Sequence, residues 1–320
     1  MIYMCYYAKI PDIIHAAKIK ISIGLLLKSH YLSGSSITIM ANTQKLEEIA
    51  SQVRRDIVRM VTDAASGHPG GSMSSTDILT TLFFNKMDCD PINWTKTGKG
   101  KDMFFLSAGH MSPLYYSILA RKGYFPISEL STFRKIGSRL QGHPSIEAGL
   151  PGIHQAAGSL GQGLSVAAGA ALSKKLNKDN HNVYVLIGDG ESEEGQIWEA
   201  AMFAAQKKIN NLIAMTDWNG QQIDGPTSEI SSLGDLPGKW EKFGWDVTVA
   251  DGHNIQSILD SFENATTKSN NDKPKMILFK TQMGQGVDFM VGTNKWHGKA
   301  PSKEQCADAL SQLKETLGDY

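Results

Sequence analysis

VYVLIGDGESEEG (183–195) and NLIAMTDWNGQQIDG (211–225) are the stretches on which the fold turns. Each is a short apolar run that stops at a glycine-rich turn bearing an acid or an amide. Runs of this length, rich in Val, Ile and Leu, read as buried strands, and the residues between them, from about Glu193 to Lys208, read as an amphipathic helix. The alternation continues in both directions. WDVTVA (245–250) follows a helix around 236–243 and precedes one over 255–267, and KMILFKT (275–281) is the last strand. Upstream, KDMFFLSAGH (101–110) is an apolar strand ending in a Gly-His turn, with a helix over 113–122 after it. GQGLSVAAGAALSKKL (161–176) is a helix of small residues suited to close packing. Strands alternating with helices predict an α/β fold: a mainly parallel central sheet with helices on both faces.

At the amino end, TQKLEEIASQVRRDIVRMVTDAA (43–65) has the helical period, with Thr43 as N-cap and Leu46, Ile49, Val53, Ile57 and Met60 on one face. GHPGGSMSSTDILTTLFF (67–84) reads as a Gly/Pro loop running into one buried helix, and a final helix starts at Ser302. Residues 42–320 are therefore expected to form the folded domain. Residues 1–41, rich in Lys, Ile and Leu and without cap or turn logic, are read as a leader outside it, with Met40 as a candidate internal start. Its apolar run (19–27) is interrupted by Lys20, bounded by Lys28, and too short to span a bilayer.

Charge and cysteine narrow the function classes. Thirty-two basic residues balance thirty-two acidic ones, leaving no electrostatic footprint for nucleic acid or an anionic membrane, and neither is expected as a partner. Cys5, Cys89 and Cys306 are too few and too scattered for a disulfide framework or a zinc site, which points to a reducing cytoplasm.

In a parallel sheet, ligands sit beyond the carboxyl ends of the strands. Asp189 stands there after the first run, ahead of a helix, and Asn219 after the second. A carboxylate, an amide oxygen and a backbone carbonyl supply half an octahedron, and a diphosphate with water completes the shell that Mg²⁺ prefers. Gly-Asp-Gly and Asn-Gly are also ordinary turns, so neither is decisive alone. Together, with a helix between them and 30 residues apart, they resemble the thiamine diphosphate fingerprint. That resemblance implies Mg²⁺, with Ca²⁺ or Mn²⁺ as substitutes, held by Asp189 and Asn219 through side chains and by Gln221 through its carbonyl. Gly188 and Gly190 would flank the diphosphate. The usual second Asn is Gly220 here.

Four histidines stand in loops at element ends: His68, His110, His143 and His297. Histidine moves protons near neutral pH, but loop histidines are common and each alone says little. Their contexts say more. GHPGGSMSSTDILTTLFF, FFLSAGHMSPLYY, LQGHP, PGIHQAAGSLGQGLSVAAGAAL, GDGESEEGQIWEAAMFAA and HGKAP occur in the order and approximate spacing of transketolases. From about residue 45 to 318 the chain resembles the amino-terminal, diphosphate-binding domain of that family.

The resemblance implies catalytic roles for His68, His110 and His143 along a substrate channel, and places His297, with His110, near both cofactor and substrate. Gly158 and Leu160 would lie against the cofactor, and Glu194 matches a glutamate linking active sites across a dimer. His154 receives no role, and His15, His30, His181 and His253 read as structural or solvated. GESEEG departs from the more usual wording, and Trp218 stands where Asp or Arg is frequent.

In the family, the glutamate that contacts the aminopyrimidine and the arginines that grip the sugar phosphate belong to a second, pyrimidine-binding domain. The chain ends where that domain would begin. The resemblance thus implies the amino-terminal subunit of a split transketolase, inactive without a carboxy-terminal partner, self-associating in a two-plus-two assembly. Its reaction would be reversible transfer of a two-carbon ketol unit from a ketose phosphate to an aldose phosphate, in the pentose phosphate pathway. Other readings stay open: the alpha subunit of a 2-oxoacid dehydrogenase decarboxylase, a deoxyxylulose phosphate synthase half, or a non-catalytic cofactor-binding relic. A dinucleotide-binding enzyme is disfavoured, because no strand leads into G-x-G-x-x-G.

Overall fold

The 3.6-residue period of the first helix, α1 (42–63), carries through to the structure: Leu46, Ile49, Val53, Ile57 and Met60 are all buried along one stripe. Thr43 does not cap it, because the helix is already running at residue 42. The computed structural model describes residues 42–268 and 271–320. The leader, with Cys5, His15 and His30, lies outside the described residues. Leu46–Tyr320 forms one compact unit.

The stretch read as one helix over 67–84 is divided. α2 (Pro69–Ser74) stops at Ser75, α3 (Thr76–Thr81) follows, and a wider π-turn over Leu82–Lys86 ends the segment. The cause is local, since Ser75 (ψ near 0°) leaves the helical backbone.

Five strands make the main sheet. They are β1 (Met103–Leu106), β2 (Val183–Gly188), β3 (Leu212–Trp218), and, after a two-residue hairpin of β4 (Gln221–Gln222) and β5 (Gly225–Pro226), β6 (Asp246–Asp251) and β7 (Lys275–Lys280). The order is β1-β2-β3-β7-β6, and every neighbouring pair is parallel. All five carboxyl ends therefore share one edge.

Alternation along the strands feeds two cores. Phe104, Leu106, Tyr184, Leu186, Ile213, Met215, Ile277 and Phe279 face α1, α3, α4 (Ser112–Lys122) and the later α9 (Ile255–Glu263). Met103, Phe105, Val185, Ile187, Ala214, Met276 and Leu278 face α5 (Gln162–Leu176), α6 (Gly195–Gln206) and, beyond the short α7 (Thr227–Ile230), α8 (Leu236–Lys242). Ala167, Ala168 and Ala171 of α5 are fully buried, so its small side chains do bring the helix close to the sheet.

After α10 (Lys303–Gln312) the chain runs back along α1 without regular structure. Asp319 holds it there, accepting hydrogen bonds from Gln52 Nε2 (2.9 Å), Arg55 Nε (2.9 Å) and Nη2 (2.7 Å), and Arg59 Nη1 (3.1 Å). The Arg55 hydrogen bond holds the Asp319 carboxyl down at about 2. A depressed carboxylate stabilises the fold above its unfolded pKa, and that contribution fades as pH falls toward the folded value. Asp319→Asn should cost about 2 kcal/mol at pH 7 by loss of charge-assisted bonds. In thermal melts the gap from wild type should narrow below pH 4; a gap independent of pH would show that the charge is not what holds the tail.

Candidate functional site

Pairing of β2 with β3 sets Gly188 beside Asp217, so the next residue, Asp189, comes to lie near a second acid. Both carboxylates are buried, Asp189 at 1% exposure and Asp217 at 0%. Asp189 Oδ2 accepts from Gly220 N (2.6 Å) and Oδ1 from Gly190 N (2.8 Å). Asp217 accepts from Ser74 Oγ, Thr281 Oγ1 and Asn219 Nδ2 (2.9 Å). Burial first, and then the neighbouring Asp217, push Asp189 up to about 8. Burial also raises Asp217, opposed by its hydrogen bonds from Ser74, Thr281 and Asn219. Neither acid forms an ion pair among the described residues.

The turn after Asp189 differs from the expectation. Asp189 caps a single 3₁₀ turn (Gly190–Glu193), and α6 begins only at Gly195, so the acid is not at an α-helix amino terminus. Gly190 is required by contact: a Cβ there would lie 2.7 Å from Gln222 Cβ in the hairpin. That close approach accompanies the bond from Gly220 N to Asp189, and beside it Gln221 N donates to Asn219 Oδ1 at 2.9 Å.

Glu191 is a third buried acid that no motif marked. Its Oε1 accepts from Ser107 Oγ and from Gly161 N (2.8 Å), and its Oε2 from Gly188 N (3.1 Å). It thus joins the end of β1, the loop ahead of α5 and the end of β2. Burial raises its pKa against these bonds. Glu194 lies on the same loop, its Cβ 3.0 Å from where a side chain on Gly161 would begin.

The four singled-out histidines converge. His110 and His297 stack at 5.0 Å between ring centroids; His68 stands 5.2 Å from His110, 5.7 Å from His297 and 6.2 Å from His143. Nδ1 of His68 and of His297 is buried without a hydrogen-bond partner. Burial is the leading cause that keeps all four imidazoles neutral, taking His68 to about 4 and His110 well below its usual value, and lowering His143 and His297.

His110, His297, Leu160, Gly188, Asp189, Gly190, Glu194, Asn219 and Gln221 line one cavity of about 210 Å³. His68, His143 and Gly158 are not in that lining. His68 joins through its ring contacts, and Gly158 sits against His143.

The remaining described histidines are held by contacts of their own. His181 pairs with Asp179 (2.6 Å), and His154 packs between Trp94 and Phe105. His253 is held rather than solvated, with Nδ1 3.0 Å from Asp77 Oδ2 and Nε2 accepting from Gln282 N.

The site fits a cation carried with an anionic ligand. Buried acids without a counter-charge are costly, and the oxygens of Asp189 and Asn219 each keep acceptor capacity beyond the bonds described. Among the described residues no group of three His, Cys, Asp or Glu is placed to hold a metal ion unaided. A ligand supplying its own oxygens is what such a half-shell requires.

Comparison with known proteins supports the anionic ligand. Residues 45–319 match the family described as transketolase, thiamine diphosphate binding domain. The 6-deoxy-6-sulfo-D-fructose transketolase subunit SqwG of Clostridium sp. (strain MSTE9) is 41% identical over 272 residues, covering 84% of this chain and 96% of that subunit. An apulose-4-phosphate transketolase subunit of Phocaeicola vulgatus is 38% identical, covering 86% and 95%. Among solved structures, the transketolase of Campylobacter jejuni superposes with a TM-score of 0.78 at 32% identity. The match covers 84% of this chain but 43% of that one, so the chain spans under half of the solved enzyme.

Removing the Glu191 carboxylate would strand three buried donors. Glu191→Ala should cost about 4 kcal/mol, at 1–3 kcal/mol per unpaired group, and Glu191→Gln roughly half as much. Urea denaturation checks this, and an Ala variant within 1 kcal/mol of wild type would remove Glu191 from its structural role.

Proposed function

The chain belongs to the transketolase family through its thiamine diphosphate binding domain, and on that premise we propose that it holds thiamine diphosphate with Mg²⁺ as one subunit of a two-chain ketol transferase. The observation that carries the proposal is the single cavity at the sheet's carboxyl edge, where Asp189, Asn219 and Gln221 meet His110 and His297. Near-complete coverage of two relatives named as subunits supports a separate pyrimidine-binding partner chain. It also favours ketol transfer over 2-oxoacid decarboxylation.

Thiamine diphosphate, when bound, supplies the carbanion chemistry that protein side chains lack. The chain's own residues do the rest. Asp189 and Asn219 hold the cation by side-chain oxygens, Gln221 by its carbonyl, and Asp217 orients Asn219 through the bond to its amide nitrogen. Gly188 and Gly190 admit the diphosphate, and Gly158 and Leu160 lie against the rings. The neutral imidazoles of His68, His110, His143 and His297 exchange hydrogen bonds and protons with substrate hydroxyls. Glu194 serves self-association within a two-plus-two assembly.

The substrates in this reading are a ketose donor and an aldose acceptor bearing phosphate. Two relatives are named for 6-deoxy-6-sulfo-D-fructose, which bears a sulfo group in place of phosphate, and apulose-4-phosphate, so those sugars belong beside the sugars of the pentose phosphate pathway in any test. A cytoplasmic location is part of the same proposal, in keeping with the free Cys89 and Cys306. No helix among the described residues is long and apolar enough to cross a membrane.

Isothermal titration of thiamine diphosphate with Mg²⁺ into the chain, alone and with its partner subunit, tests the reading. Binding should strengthen with the partner and fall by at least about 100-fold in Asp189→Ala, the scale of losing a buried charged ligand. Ketol transfer should appear only in the mixture. No binding and no transfer in any mixture would overturn the proposal.

A further inference from the structure

Arg134 stands out from the other buried or half-buried arginines of the chain. Arg54, Arg55, Arg121 and Arg139 each pair with a carboxylate, at 2.7 to 2.8 Å. Arg134 has no carboxylate within ion-pair distance among the described residues, and its Nε is buried without a partner. Its backbone is also unusual. At φ +58° it occupies the left-handed region, which is uncommon for a residue with a long side chain and persists where the surroundings enforce it. An unpaired charge on a strained backbone does little for stability, which directs attention to what the side chain touches.

It touches the two loops that present site histidines. Nη1 donates to Ser66 Oγ, two residues ahead of His68. The guanidinium lies across Gly142, next to His143, where a Cβ would come within 2.6 to 2.8 Å of three of its atoms. The Arg134 amide donates to Leu140 O at 2.8 Å, closing the loop on itself. The adjoining Phe133 ring packs behind Gly67 in the same way.

We propose that Arg134 is a positioning residue for the histidine cluster, bracketing the loops of His68 and His143 and setting a fixed positive charge beside both rings. A nearby cation disfavours the imidazolium, so the two rings remain acceptors at pH values where a free histidine would be charged. The ionisable groups facing His68 are His110, His143, His297 and Arg134; those facing His143 are His68 and Arg134. After burial, Arg134 is the cause that keeps His143 neutral, and it adds to His297 in keeping His68 so. The consequence for turnover rests on the proposed ketol transfer; the electrostatic claim does not.

Two measurements separate these. In the full chain, histidine C–H resonances followed by NMR against pH should show His68 and His143 of Arg134→Gln titrating about half a unit or more above wild type, the direction expected when a neighbouring cation is removed. Arg134→Lys, which keeps the charge, should titrate near wild type. In the enzyme assembled with its partner and cofactor, the acid limb of kcat/KM for Arg134→Gln should move to higher pH. Arg134→Lys should leave that limb in place and raise KM, because the bracket is lost.

A merely structural arginine would lower the melting temperature without moving either titration, and that result overturns the proposal. Ser66→Ala, which removes one contact and no charge, keeps the test open if Arg134→Gln fails to fold: its titrations should match wild type, and a shift as large as that expected for the Gln variant would deny the charge its role. If the wild-type assembly transfers no ketol group, the function reading fails while the NMR titration still decides the role of Arg134.

Discussion

In the register of β2 against β3, Gly188 lies opposite Asp217, and that one pairing brings two acids beneath the same layer of protein. The rest of the carboxyl edge is arranged around this constraint. Ser74 reaches Asp217 from α2, Thr281 from the end of β7 and Asn219 from the turn after β3, so three separate segments are fixed by one buried carboxylate. Asp189 is served by backbone amides alone, which leaves its outer face open to the cavity. Glu191 does for β1, β2 and the loop before α5 what Asp217 does for its own neighbours. A register shift of one residue in β3 would turn Asp217 toward the opposite core, so strand register and site geometry are one specification.

Much of this was legible in the sequence because apolar period and turn residues are local signals. Four of the five main-sheet strands stand within two residues of the runs that mark them, β1 lies inside its 101–110 stretch, and the parallel direction follows from strands separated by helices. The convergence of His110 and His297 with Asp189, Asn219 and Gln221 is a long-range outcome. Spacing alone could not have placed them in one cavity, and only the ordered motifs of the family pointed there.

The supporting residues beneath the site were not legible in the same way. Asp217 sits inside the quoted DWNG turn and Glu191 inside GDGESEEG, yet the motifs mark only the residues beside them. The usable signal was a charged residue closing a fully apolar strand run, which burial must either pair or orient. Ser74, Ser107 and Thr281 have no such signal, since hydroxyls are frequent everywhere and their partners lie tens of residues away. Thr43 misled for a different reason: a cap is read from the first visible period, and the helix had already begun.

The crowding of Asp189 and Asp217, neither of which pairs with a basic side chain among the described residues, has a consequence under the proposed function for the order in which ligands arrive. On that reading, a diphosphate entering by itself would meet two acids whose burial favours the protonated form, and a divalent cation entering by itself would have to displace those protons and would find only half a coordination shell. Each removes the obstacle to the other. Affinity for either should therefore rise with the concentration of the other, by the same factor in both directions, as thermodynamic linkage demands. Under the proposed function, the site answers to the pair of components rather than to either one.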